Sequence, residues 1–123
     1  MDTSLPKENT ARKAVLVGLA VVLAVVLIVV GVYQIRRSDP YVQSVLSLNG
    51  DASRGHVIFQ QNCSVCHGLN ADGRVGPSLH HVASRKSRIG LIHQVTSGKT
   101  PPMPQFQPTP EDMADLLRYL ESL

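Results

Sequence analysis

From Ala14 to Ile35 the chain carries no charged residue and is dominated by Val, Leu, Ile and Ala. A helix of that length spans about 33 Å, enough for a bilayer core of about 30 Å. Its many β-branched residues do not argue against a helix, because a lone segment in lipid must satisfy its backbone internally. Downstream the pattern becomes amphipathic. A short helix is expected over about 52–61, capped by Asp51, with Ser53 as a competing cap. Another is expected over about 87–97, where Ile89, Ile92 and Val95 share a face and Gly98 supplies the stop. The last helix has the clearest signature. Thr109 caps it, Pro110 sits at the first helical position and Asp112 two residues on, while Met113, Leu116, Leu117 and Leu120 form one apolar stripe. The intervening 68–76 and 100–108 are loops. The second is stiffened by Pro101, Pro102, Pro104 and Pro108, which exclude both helix and central strand. The prediction is an all-α fold.

These patterns divide the chain into four segments: a polar, aperiodic and disordered cytoplasmic tail, 1–13; a transmembrane anchor, 14–35; a linker, 36–50; and a globular domain, 51–123. In the linker, Asp39-Pro40 reads as a helix break at the membrane surface, Tyr41 as an interfacial aromatic and Asn49-Gly50 as a turn. The apolar run exceeds the roughly 7–15 residues of a signal-peptide core and no A-x-A site follows, so an uncleaved single-span anchor is favoured.

The 123 residues suit one small domain with appendages, and the 43% hydrophobic content overstates its core because the anchor holds so much of it. The net charge of +3 comes from 12 Lys+Arg and 9 Asp+Glu. Basic and acidic residues nearly balance from Asp51 onward, which gives nucleic-acid binding no support. The cluster Arg85-Lys86-Ser87-Arg88 reads equally as a docking patch for an acidic redox partner or as a solvated helix start.

The candidate chemistry centres on Cys63-Ser64-Val65-Cys66-His67. C-x-x-C-H is the spacing for covalent haem attachment: two thiols reach the two vinyl groups on one porphyrin edge, and the next residue offers its imidazole to iron. Three other readings compete. A thioredoxin-type dithiol belongs where a strand enters a helix, and no strands are expected here. Zinc needs further ligands, and His56, His80, His81 and His93 lack the spacing. A disulfide over so short a loop is a poor staple.

Taken in order, residues 51–123 run helix, C-x-x-C-H, Gly76-Pro77-Ser78-Leu79, helix, Met-bearing loop and amphipathic last helix. This resembles class I c-type cytochromes, and with the anchor it is similar to the membrane-anchored cytochrome M group of cyanobacteria. The resemblance implies one covalent haem c per chain, with iron bound by His67 and Met103. It implies that Pro77 C=O accepts from the free ring N–H of His67, and that Gly55, Phe59 and Tyr119 meet where first and last helices cross. Met113, on the apolar stripe, reads as core rather than ligand. Phe59, Leu79, Ile92 and Leu117 are expected to wall the haem.

Two axial ligands leave no open position on the iron, so the expectation is a one-electron carrier rather than an enzyme, with no small-molecule substrate. It would serve a respiratory or photosynthetic chain through donor and acceptor proteins. The alternatives are a fixed haem subunit of a membrane oxidase or other complex, and an enzyme or gas sensor with five-coordinate haem. Maturation of such haem sites implies a domain on the periplasmic or thylakoid-lumen side and a cytoplasmic N-terminus. The basic residues flanking the span (Lys7, Arg12 and Lys13 before; Arg36 and Arg37 after) add only a weak bias.

Overall fold

The computed structural model describes residues 5–123, and their side chains from residue 9 onward. The described residues form helices and loops, without strands. They divide into two units, one ending at Arg36 and the other running from Arg37 to Leu123.

The first unit is essentially one helix, α1, Leu5–Arg37. Its apolar side chains from Val15 to Ile35 are exposed. It is long and apolar enough to cross a membrane. The helix begins well before residue 14, so residues 5–13 are helical turns and not the irregular tail the sequence reading expects; residues 1–4 lie outside the described residues. The physical reason is propagation. Once the apolar run is helical, each added residue gains a hydrogen bond at little cost, and Lys, Glu, Ala and Arg are good helix formers.

The second unit opens with α2, Pro40–Ser47. This corrects the expectation of a linker over 36–50. Asp39 and Pro40 do interrupt the preceding helix, but they also start a new one: the Asp39 carboxylate accepts from Tyr41 N–H, and Pro40 lies in the first turn where no donor is needed. Val42 and Val45 are buried in the core. Tyr41, expected at a membrane interface, instead packs on the core and donates its hydroxyl to Pro108 C=O at 2.9 Å.

α3, Ala52–Asn62, and α7, Pro110–Glu121, cross closely. The crossing depends on Gly55. A Cβ there would lie 1.9 Å from the Asp115 carbonyl oxygen and 2.8 Å from Tyr119 Cβ. Phe59 is fully buried beside it, its ring 5.3 Å from that of Tyr119. The buried Asp115 carboxylate fastens α7 to the start of α3 by accepting from Asp51 N–H at 2.7 Å and Arg54 Nε at 2.7 Å. Asp51 itself caps α3 through Ser53 N–H and Arg54 N–H.

Three shorter helices complete the unit: α4, Ser64–His67; α5, Val82–Arg85; and α6, Arg88–Thr96, capped by Ser87. Thr109 caps α7 by accepting from Asp112 N–H. The core gathers Phe59, Leu91, Ile92, Met113, Leu116 and Leu117 with α2.

Candidate functional site

Cys63 ends α3 and starts α4. Its N–H donates to Phe59 C=O, and its own C=O accepts from the N–H groups of Cys66 and His67 at 3.2 and 3.0 Å. One tight turn therefore carries both thiols and the imidazole. Gly68, at φ 84°, lets the chain reverse after His67. The returning loop is tied to that turn by Gly73 N–H to His67 C=O and Gly76 N–H to Cys66 C=O, at 2.8 and 2.7 Å.

This return sets Pro77 C=O 2.8 Å from His67 Nδ1. A carbonyl oxygen only accepts, so Nδ1 carries the proton. In the neutral ring the lone pair is then on Nε2, the atom available to a metal. Gly76 makes room for the ring: a Cβ would fall 2.7 Å from His67 Cε1 and 2.9 Å from Nδ1.

Cys63, Cys66 and His67 line a cavity of about 660 Å³, within the usual range for cofactor pockets of about 300–1,000 Å³. Met103 lines it too, from the 100–108 loop. Met113 does not, being fully buried in the core. Among the described residues, His67 is the histidine on the cavity wall; His56, His80, His81 and His93 lie elsewhere. His56 stacks on Tyr119 and His80 bonds Asp72 at 2.8 Å. Among the described residues no three or more His, Cys, Asp or Glu converge as a protein-only metal site.

The apolar wall differs in part from the expected one. Phe59 and Leu79 line the cavity, whereas Ile92 and Leu117 are buried in the core without reaching it. Leu91 and Val95 on α6 and Leu116 and Leu120 on α7, each pair one helical turn apart, take their place. Both helices bury more than one strip of surface, and the stripe alone does not say which strip meets the cavity.

Gln94 is a site residue that the sequence reading missed. Its side-chain amide donates to Thr100 Oγ1 at 3.0 Å and approaches Met103 Sδ at 3.8 Å. The available signal was an amide set among the apolar Leu91, Ile92 and Val95 of a helix expected to pack inward. Met103 N–H donates to Thr100 C=O at 2.9 Å within the loop, and Phe106 N–H to Val95 C=O at 3.0 Å pins the loop to α6.

The basic cluster is partly committed inside the fold. Arg88 pairs with Glu121 at 2.8 Å, and Arg85 donates to Ser78 C=O at 3.2 Å. Arg85 and Lys86 also lie on the cavity rim.

No disulfide joins Cys63 and Cys66. Burial, with a contribution from Cys66, pushes the Cys63 thiol up to about 11. Two thiols, an imidazole with Nε2 available, a thioether on a proline-stiffened loop and apolar side chains all border this one cavity, a donor set that fits a haem.

Known proteins point the same way. Residues 50–120 match the family described as "Cytochrome C oxidase, cbb3-type, subunit III". A "Cytochrome c-553-like" protein of Synechocystis sp. (strain ATCC 27184 / PCC 6803 / Kazusa) is 54% identical over 105 residues, which is 85% of this chain and 100% of that protein. "Cytochrome c" of Arabidopsis thaliana is 41% identical over 44 residues, covering 34% of this chain and 39% of that one. "Cytochrome c" of Tetrahymena pyriformis is 45% identical over 38 residues, covering 31% and 35%.

Proposed function

The chain belongs to the cytochrome c family, and from that premise we propose that it is a membrane-anchored one-electron carrier with a covalent haem c bound axially by His67 and Met103. The family supports an electron-carrier haem protein. The observation that carries the finer reading is the shared cavity: both thiols, the Pro77-oriented imidazole and the Met103 thioether all border it.

The roles follow from each side chain's chemistry. Cys63 and Cys66 supply the two thioether bonds. Pro77 C=O holds the His67 proton on Nδ1, which keeps Nε2 basic and the ring oriented. Met103 supplies a soft sulfur that favours the reduced metal relative to a second nitrogen. When bound, the haem iron supplies interconversion between Fe(II) and Fe(III). The apolar residues Phe59, Leu79, Leu91, Leu116 and Leu120 exclude water from it, which limits solvent reorganisation when an electron moves.

α1 is the membrane anchor in this reading, over about 14–35. The haem domain faces the periplasm or thylakoid lumen and the N-terminus the cytoplasm, with donor and acceptor in a respiratory or photosynthetic chain. The description of the matching family as an oxidase subunit favours a second reading, a fixed haem subunit of an oxidase.

The test is a redox titration of the full-length haem-loaded protein with carbon monoxide added to the reduced form. A one-electron curve and no carbon monoxide complex are expected. Ready carbon monoxide binding would replace the carrier with a five-coordinate sensor or enzyme. Native purification from mild detergent separates the two leading readings: migration with a stoichiometric oxidase supports the subunit, migration alone the carrier.

A further inference from the structure

We propose that Tyr41 latches the loop that carries Met103. The inference rests on the reading that Met103 is an axial ligand, and it adds a positioning residue outside the haem domain as the sequence outlines it.

The loop from Thr100 to Pro108 is poor in donors of its own. Four of its residues are prolines without an N–H. It is therefore held from outside, at three points. The Gln94 amide donates to the Thr100 hydroxyl oxygen at the near end. Phe106 N–H reaches Val95 C=O in the middle, at 3.0 Å. Tyr41 Oη–H donates to Pro108 C=O at the far end, at 2.9 Å. The far point also fixes where α7 begins, since Thr109 is its cap.

Tyr41 is well placed for this. Its ring packs against the core, and the helix that carries it is fixed by the buried Val42 and Val45. Burial, then the nearby carboxylates of Asp112 and Asp39, raise its ionisation above the ordinary tyrosine value. The hydroxyl thus stays a donor wherever an ordinary tyrosine is one. A thioether is a weak ligand, so the bond from Met103 is the first to yield when the loop opens. Losing one fastening shifts that opening equilibrium directly.

The experiment uses full-length haem-loaded protein in detergent, with imidazole as a probe that enters only when Met103 leaves. Tyr41→Phe removes the hydroxyl and keeps the ring. It should bind imidazole about three- to tenfold more tightly in the oxidised state, the span of one ordinary net hydrogen bond. The gain should vanish in a Met103→Ala background, where the position is already open. Val57→Gly, an exposed mid-helix change on α3, serves as a control of comparable thermal destabilisation. Wild-type imidazole affinity in Tyr41→Phe, or an equal gain in Val57→Gly, overturns the latch. If Met103→Ala binds imidazole no better than wild type, the ligand reading itself falls, and the latch with it.

Discussion

Gly76→Ala probes the geometry of the imidazole most sharply. The added Cβ would lie 2.7, 2.9 and 3.2 Å from Cε1, Nδ1 and Nε2 of His67. Those atoms belong to one rigid ring that is only 9% exposed, so no flexible tip can swing away. Reaching ordinary contact means moving the ring or the loop by several tenths of an ångström. Either motion stretches the 2.8 Å bond from Nδ1 to Pro77 C=O. Overpacking costs about 1–3 kcal/mol and the lost hydrogen bond about 1 more. A total of about 2–4 kcal/mol corresponds to a fall of roughly 10–25 °C in Tm for a domain of this size. The assay is thermal unfolding of the haem-loaded protein, with its reduction potential measured alongside. The potential should rise, because an imidazole without its carbonyl partner donates less well to the oxidised metal. A variant with wild-type Tm and potential would refute the claim that Gly76 and Pro77 together set the ring.

Three further outcomes are expected. Gly55→Ala places a Cβ 1.9 Å from the Asp115 carbonyl oxygen, a backbone atom, so α3 and α7 must part; denaturant unfolding should show a loss of about 3 kcal/mol or more. Gln94→Leu removes an amide N–H that faces the Met103 sulfur at 3.8 Å. If Met103 is the axial ligand proposed above, that donor draws density from sulfur and favours the reduced metal, so voltammetry should find the potential about 20–60 mV lower, one modest hydrogen bond converted for one electron. In the haem-free chain, the Cys63 thiol stands at about 11 against an ordinary 9.0. The folded state then holds its proton more firmly than the unfolded one; this stabilisation is complete below pH 9 and is lost as pH rises through about 11. Alkylation of Cys63, followed by peptide mass mapping, should be slow at neutral pH and accelerate over the same window; rapid reaction at pH 7 would contradict the burial.

Much of this was legible from residue chemistry and some was not. C-x-x-C-H declares its own geometry, because three side chains on one turn need only local backbone. The proline loop and the capped, striped α7 are likewise local signals, and both stand in the structure. α2 was hidden by an ambiguity: Asp39-Pro40 is equally a helix end and a helix start, and only Val42, Val45 and Leu46 at helical spacing favoured the start. The wall was misassigned at Ile92 and Leu117 because helical periodicity identifies buried positions without saying what buries them. Gly76 and Gln94 act through contacts with His67 and the Met103 loop, and no local pattern encodes those. Tyr41 and Pro108 are farther apart still in sequence, and their hydrogen bond depends on where α2 packs.

The most direct measurement of the central claim is the proton NMR spectrum of the reduced, haem-loaded, full-length protein. A methionine bound over the macrocycle has its methyl group shifted far upfield by the ring current. Ligation by His67 and Met103 predicts one such methyl, lost in Met103→Ala and kept in Met113→Leu. No upfield methyl, or one that survives Met103→Ala, would contradict it.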